Sequence, residues 1–268
     1  MEHVVVGVED DAASRAAIGW VIERARSKPV HIRLVTALGW TDTDQQTPGE
    51  TLAGVSHRIQ EAAPGSTVEV EIADGPKLHE LIEESIDADL LVIGSHPDPR
   101  IRESRTESFP VSLAARSRCP VVVVPDDWEA TEGAIVVGID ADGGSDDAVS
   151  FAAREAVETG RDLEILHTWE PWAAPDTRAT QVEHQGILDE TIERVRAAYP
   201  SLRVGGALAE AVAHDGMIAN SRQASLLVLG TYRLGRESGV VLGTIHQEVM
   251  LRGVVPLCIV PLVEASGD

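Results

Sequence analysis

From Gly230 to Thr244 the chain reads Gly-Thr-Tyr-Arg-Leu-Gly-Arg-Glu-Ser-Gly-Val-Val-Leu-Gly-Thr. Glycines at both ends of a loop, with a hydroxyl residue after the last, suit the binding of a phosphate chain. Inward-turned backbone N–H groups, from a loop and from the first turn of the next helix, hold such an anion. Glycine allows positive φ and lets the backbone approach closely. Thr244 is placed to open the last helix, so its hydroxyl and N–H would meet an anion at the positive end of the helix dipole. A similar layout occurs earlier, from Gly94 to Ser108, but it carries Pro97, Pro99 and Glu107. Each proline removes an N–H donor and fixes φ near about −65°. Glu107 puts a carboxylate where the anion would sit. The first layout is therefore expected to hold no nucleotide. Arg233, inside the second layout, reads two ways: its side chain fills the cavity, or its guanidinium grips phosphate bidentately with help from Arg236.

These loops hang on a unit that occurs twice. Val4-Val5-Val6-Gly7-Val8-Glu9 returns as Ile135-Val136-Val137-Gly138-Ile139-Asp140, and Gly7 and Gly138 are 131 residues apart. Gly94 recurs as Gly230 and Pro120 as Pro256, each 136 residues on. Such self-similarity marks a tandem duplication, with domains expected over 1–126 and 134–268 and a short linker between them. Continuous β-branched runs suit strands buried on both faces, as in a parallel sheet. Strands are expected at Val4–Val8, Val30–Ala37, Thr67–Ala73, Leu90–Ile93 and Val121–Val124. The second set is Ala134–Ile139, Asp162–His167, Arg203–Ala207, Leu226–Leu229 and Leu257–Val260. Helices fall between them, the first with Ser14 as its cap, and in the second copy near Ser145–Thr159, Gln181–Tyr199, His214–Ser221 and Thr244–Leu251. Alternation of strand and helix gives an α/β fold: two doubly wound domains, each a five-stranded parallel sheet with helices on both faces. Ligands of such sheets bind beyond the carboxyl ends of the strands where strand order reverses. That places one crevice per copy between Glu9 and Gly94, or between Asp140 and Gly230.

Composition narrows the function. The 268 residues are 43% apolar and carry 22 basic against 44 acidic side chains, a net charge of −22. That surface repels nucleic acid and anionic membranes. No apolar run approaches the roughly 18 residues needed to cross a bilayer, and no secretory leader precedes the first strand, so a cytoplasmic protein is expected. Cys119 and Cys258 read as buried, inert thiols rather than a disulfide framework.

The residues of both copies resemble the universal stress protein family. Val137-Gly138-Ile139-Asp140 with Ser145 and Ala148 is similar to the opening of such a domain, as is Val6-Gly7-Val8-Glu9 with Ser14 and Ala17. The ATP-binding signature of the family is Gly, two residues, Gly, nine residues, Gly, then Ser or Thr. From Gly230 to Thr244 the spacing is kept, with Arg233 in place of the second glycine. The resemblance covers essentially the whole chain. It implies that Asp140 faces adenine or ribose, that Thr168 and Leu229 frame the base, and that Gly230, Gly243, Thr244 and Ile245 approach the phosphates of ATP bound with Mg. It also implies pairing through the fifth strand, here within one chain, and leaves open a homodimer.

Plainer readings stand beside these. Asp140 could simply cap the turn before the next helix, and the glycines could serve turns alone. His79 and His214 read as surface residues near helix starts. His96, His184 and His246 show no metal-ligand spacing. Trp20 reads as core, and Trp169 and Trp172 as cover for the sheet. No positioned base, phosphate-binding lysine loop or metal carboxylate pair supports hydrolysis. The expectation is a stress-response regulatory or binding protein with degenerate nucleotide sites. The alternative is a scaffold acting through protein partners.

Overall fold

A computed structural model describes residues 1–37, 48–96, 108–141, 145–173, 177–231 and 242–262. The chain divides into two compact units, Met1–Ala130 and Thr131–Asp268. The first contains β1 (Glu2–Gly7), α1 (Ala12–Ser27), β2 (Val30–Ala37), α2 (Pro48–Ala62), β3 (Thr67–Ala73), α3 (Lys77–Glu84), β4 (Leu90–Ser95), α4 (Phe109–Arg116) and β5 (Val121–Pro125). The second contains β6 (Ile135–Ile139), α5 (Asp146–Thr159), β7 (Leu163–Trp169), α6 (Thr177–Ala198), β8 (Val204–Glu210), α7 (Ala213–Asn220), β9 (Leu226–Gly230), α8 (Thr244–Arg252) and β10 (Leu257–Val260), with a 3-10 turn at Pro171–Ala173.

Strands run parallel in the order β3-β2-β1-β4-β5 in the first unit and β8-β7-β6-β9-β10 in the second. The central strands are walled in on both faces. Val4, Val5, Val6, Leu90, Leu91 and Val92 are fully buried in the first unit, as are Val137 and Val228 in the second. Helices α1 and α2 pack together on the first sheet and α3 pairs with α4; α5 and α6, and α7 and α8, repeat the arrangement. In each unit strand order reverses between the first and fourth strands, and in sheets of this kind ligands bind beyond the carboxyl ends of such strands.

The structure corrects several boundaries. Ser14 does not cap α1. Asp11 does: its Oδ1 accepts from Ser14 N at 2.7 Å, while the Ser14 hydroxyl turns back to accept from Glu9 N at 2.8 Å. Both residues can cap, and the carboxylate placed before the first turn reaches its free N–H groups. Strand β7 runs on to Trp169 and β8 to Glu210, because these two residues stand opposite each other in the last rung of a shared ladder. Thr168 and Trp169 thus lie within a strand rather than after it. Helix α6 begins at Thr177, ahead of the expected Gln181.

Candidate functional site

In the second unit, β6 pairs with β9 and with β7, and Ile139 stands opposite His167. Asp140 therefore follows β6 between two neighbouring strands, with Thr168 near the end of β7 on one side and Gly230 at the end of β9 on the other. Asp140 is exposed. Its backbone N–H donates to the Ser145 hydroxyl at 3.1 Å. Among the described residues its carboxylate makes no hydrogen bond or ion pair, and its charge acts on His167; the turn it would cap, 142–144, lies outside the described residues. Thr168 turns its methyl toward α7, where a Cβ on Gly216 would lie 2.7 Å from Thr168 Cγ2. Leu229 is buried against Gly138 and Met217 and forms floor rather than wall.

The other wall is the start of α8. Gly243 precedes the helix with no side-chain cap bond, and a Cβ added there would meet no described residue within 4 Å. Thr244 is exposed, and Ile245 stays 38% exposed despite its apolar side chain. Space beside Gly243, a free carboxylate at Asp140 and an exposed aliphatic face at Ile245 suit a ligand with an anionic tail and a flat, hydroxylated or basic head. Arg233 lies outside the described residues.

The matching positions of the first unit are already occupied. Glu9 stands where the second unit has Asp140, but Lys77 Nζ lies 2.6 Å from Glu9 Oε1. The approach is charge against charge rather than an aligned N–H···O bond. The same ammonium sits 4.1 Å from the centroid of the Phe109 ring, a cation–π contact. Lys77 is only 14% exposed at its side chain. Phe109 holds the place of Ile245, while α7 opens on Ala213 where α3 opens on Lys77. Gly94 also has a packing duty: a Cβ there would fall 2.1 Å from the Ala13 carbonyl carbon and oxygen, so the glycine lets α1 rest on β4. Pro97, Pro99 and Glu107 lie outside the described residues.

The model of the Universal stress protein family matches the chain twice, over residues 1–125 and 133–261. The chain belongs to the universal stress protein family. A universal stress protein of Mycobacterium tuberculosis is 25% identical over 272 residues, covering 92% of each chain. One of Mycolicibacterium smegmatis is 26% identical over 288 residues, covering 96% of each. The crystal structure of a universal stress protein from Archaeoglobus fulgidus superposes with a TM-score of 0.75 at 18% identity, over 97% of this chain and 98% of that one; the likeness is one of fold.

Several residues of this universal stress protein carry geometry that sequence did not single out. Lys77 and Phe109 are two of them, and the signal was there in the replacement of Ala213 and Ile245 by a cation and a ring. His167 is a third. It is buried, its Nδ1 donates to Ile139 O at 3.0 Å, and its Nε2 lies 2.7 Å from His184 Nδ1. Burial holds its pKa below the ordinary histidine value. The carbonyl of Ile139 can only accept, so Nδ1 carries the proton and Nε2 accepts from His184. Trp169 packs beside His184, with ring centroids 5.7 Å apart, and is buried, whereas Trp172 is 64% exposed and covers nothing. His79 is exposed and His214 half-buried. No group of three or more metal-ligating side chains occurs among the described residues, and no described helix is long and apolar enough to cross a membrane.

Proposed function

We propose that this chain is a stress-response regulatory protein whose second unit binds an adenine nucleotide, ATP with Mg, and whose first unit does not. The observation that carries the reading is the unequal state of two equivalent carboxylates: Glu9 is tied to Lys77 beside a phenyl ring, and Asp140 is exposed and makes no hydrogen bond or ion pair among the described residues. Asp140 would accept from a ribose hydroxyl or an adenine amine. Ile245 and the Thr168 methyl would lie against the base. Gly243 and Thr244 would present the first N–H groups of α8 to the phosphates, where the helix dipole favours negative charge. The bound group would supply a signalling state.

The test is a calorimetric titration of MgATP into the whole chain and into Asp140→Ala and Arg233→Gly variants. One site per chain is expected, weakened about tenfold or more by Asp140→Ala, the scale of a lost hydrogen bond to a charged group. Tighter binding by Arg233→Gly would make the arginine a plug, and weaker binding would make it a phosphate ligand. Silence in all three proteins would overturn the nucleotide reading and leave a scaffold for protein partners.

A further inference from the structure

The start of α8 holds a buried histidine whose one ring nitrogen is tied and whose other is empty. His246 is 8% exposed. Its Nε2 lies 2.9 Å from the carbonyl of Gly230. A carbonyl only accepts, so Nε2 carries the proton, and in the neutral ring Nδ1 presents a lone pair. That Nδ1 is buried without a hydrogen-bond partner among the described residues. A helical side chain leans toward the helix N-terminus, and Gly230 ends β9. The ring therefore lies between the carboxyl end of β9 and the first turn of α8, under the same crevice that Gly243 and Thr244 border.

We propose that His246 belongs to the anion site at the start of α8 and takes up a proton when a phosphate-bearing ligand binds there. This rests on the reading of the second unit as phosphate-binding and adds its regulation by pH. Neutral Nδ1 offers an anion only a lone pair; protonated, it becomes a donor beneath the open N–H groups of the helix. Among the described residues no carboxylate pairs with the ring. Asp215 of α7 and Glu248 of α8 both face Arg252, at 2.8 and 3.5 Å. His214 is the other titratable group of α7. Asp140, at the end of β6, does not bond to the ring. Strand β9 has no titratable side chain and β10 has only the buried thiol of Cys258. Burial in these surroundings keeps the free ring neutral, its pKa below the ordinary histidine value. An arriving phosphate brings the charge that reverses this preference. The first unit has Pro110 at the equivalent position and no such group.

Linkage fixes the sign. If the complex holds one more proton than the free protein, affinity rises as pH falls, by at most about tenfold per pH unit. The experiment titrates MgATP into the full chain between pH 5.5 and 8, in two buffers of different ionisation enthalpy, for the natural protein and for His246→Gln. Glutamine can still donate to the Gly230 carbonyl but cannot gain a proton. ATP titrates its own phosphates in both proteins, so the difference between them isolates His246. The natural protein should take up as much as one additional proton per ligand and tighten more steeply below pH 7 than the variant. Equal proton counts and parallel pH profiles would overturn the proposal while leaving nucleotide binding intact. No binding by either protein at any pH would overturn both readings. A second measurement needs no variant: the NMR titration of the His246 ring, alone and with inorganic tripolyphosphate, should show its midpoint rise with the anion. An unmoved midpoint would also overturn the proposal.

Discussion

Side chains at the carboxyl ends of the strands differ between the two units, and in the first unit a lysine and a glutamate meet there as an ion pair. Lys77 and Glu9 are both largely shielded from water. Removing one member leaves the other poorly solvated, a heavy loss for a deep pair and a smaller one here. Lys77→Met should lower stability by about 1–2 kcal/mol, read as a reduced urea midpoint at unchanged slope; Lys77→Met with Glu9→Gln should recover most of it. Equal losses in single and double variants would mean that the lysine stem against Phe109 matters, not its charge. The mouth of the same unit carries a second device. His96 Nδ1 lies 2.7 Å from Asp126 Oδ2 and Nε2 lies 3.1 Å from Asp11 Oδ2. Two carboxylate partners require two N–H donors, so the ring is an imidazolium, and the bond to Asp126, with help from Asp11, raises its pKa against the opposing effect of burial. A group whose pKa rises on folding stabilises fully below its unfolded value near 6.5 and loses that contribution as pH climbs through the folded value. Burial by itself would raise the Asp11 carboxyl, but the Ser14 bonds and His96 outweigh it and hold it low; its contribution is present above the unfolded value and fades in acid. Stability should therefore fall at both ends, and His96→Gln should flatten the alkaline limb and, because His96 helps hold the Asp11 carboxyl low, weaken the acid limb to a smaller extent. The effect should stay under about 1 kcal/mol, because the imidazole is half-exposed and water screens it. An alkaline limb unchanged in His96→Gln would place the titration elsewhere.

Elements were far more legible in the sequence than the contacts they make. Runs such as Val4–Val8 and Val121–Val124 read as buried parallel strands because β-branched residues with no polar alternation fit only a sheet covered on both faces. The ends of β7 and β8 were less clear: Glu170-Pro171 suggests an early stop, and Gly205-Gly206 depresses strand propensity, yet pairing along the two strands carries both further. The Gly-rich spacing pointed to the ends of β4 and β9, but spacing says nothing about what a glycine is for. Gly94 and Gly230 hold the same place in the repeat, and Gly94 is needed because α1 passes too close for any Cβ. Gly94→Ala should thus push α1 off β4 and cost about 1–3 kcal/mol, as overpacking does. Gly243→Ala meets open space and should leave the urea midpoint within about 0.5 kcal/mol of the natural protein, as surface changes do, while weakening any ligand that approaches the backbone there. Loss of stability in Gly243→Ala without loss of binding would show its duty to be structural. Neither Lys77 nor His246 could have been placed this way, since their roles depend on which neighbour each side chain reaches in three dimensions.

At the scale of the whole molecule, duplication has produced two like folds with unlike crevices inside one strongly acidic chain. Its charge of −22 acts on the compact state as self-repulsion, which the closest ion pairs oppose. Those pairs differ in how strongly salt reaches them. Arg24 and Glu2 meet at 2.6 Å with side chains 3% and 17% exposed, so their attraction is little screened; the many solvated carboxylates interact across water and are screened fully. The screening length falls from about 10 Å at 0.1 M salt to about 3 Å at 1 M. Salt should then remove more repulsion than attraction, and the urea midpoint should rise between 0.1 and 1 M potassium chloride. Chloride is the right choice because sulfate would strengthen apolar burial as well and confuse the cause. Charge neutralisation supplies the control: replacing the three exposed glutamates of α6, Glu183, Glu190 and Glu193, by glutamine should raise the low-salt midpoint and reduce its slope against salt. If the midpoint falls with potassium chloride, local ion pairs outweigh the overall field, and the acidic surface costs the fold nothing that salt can return.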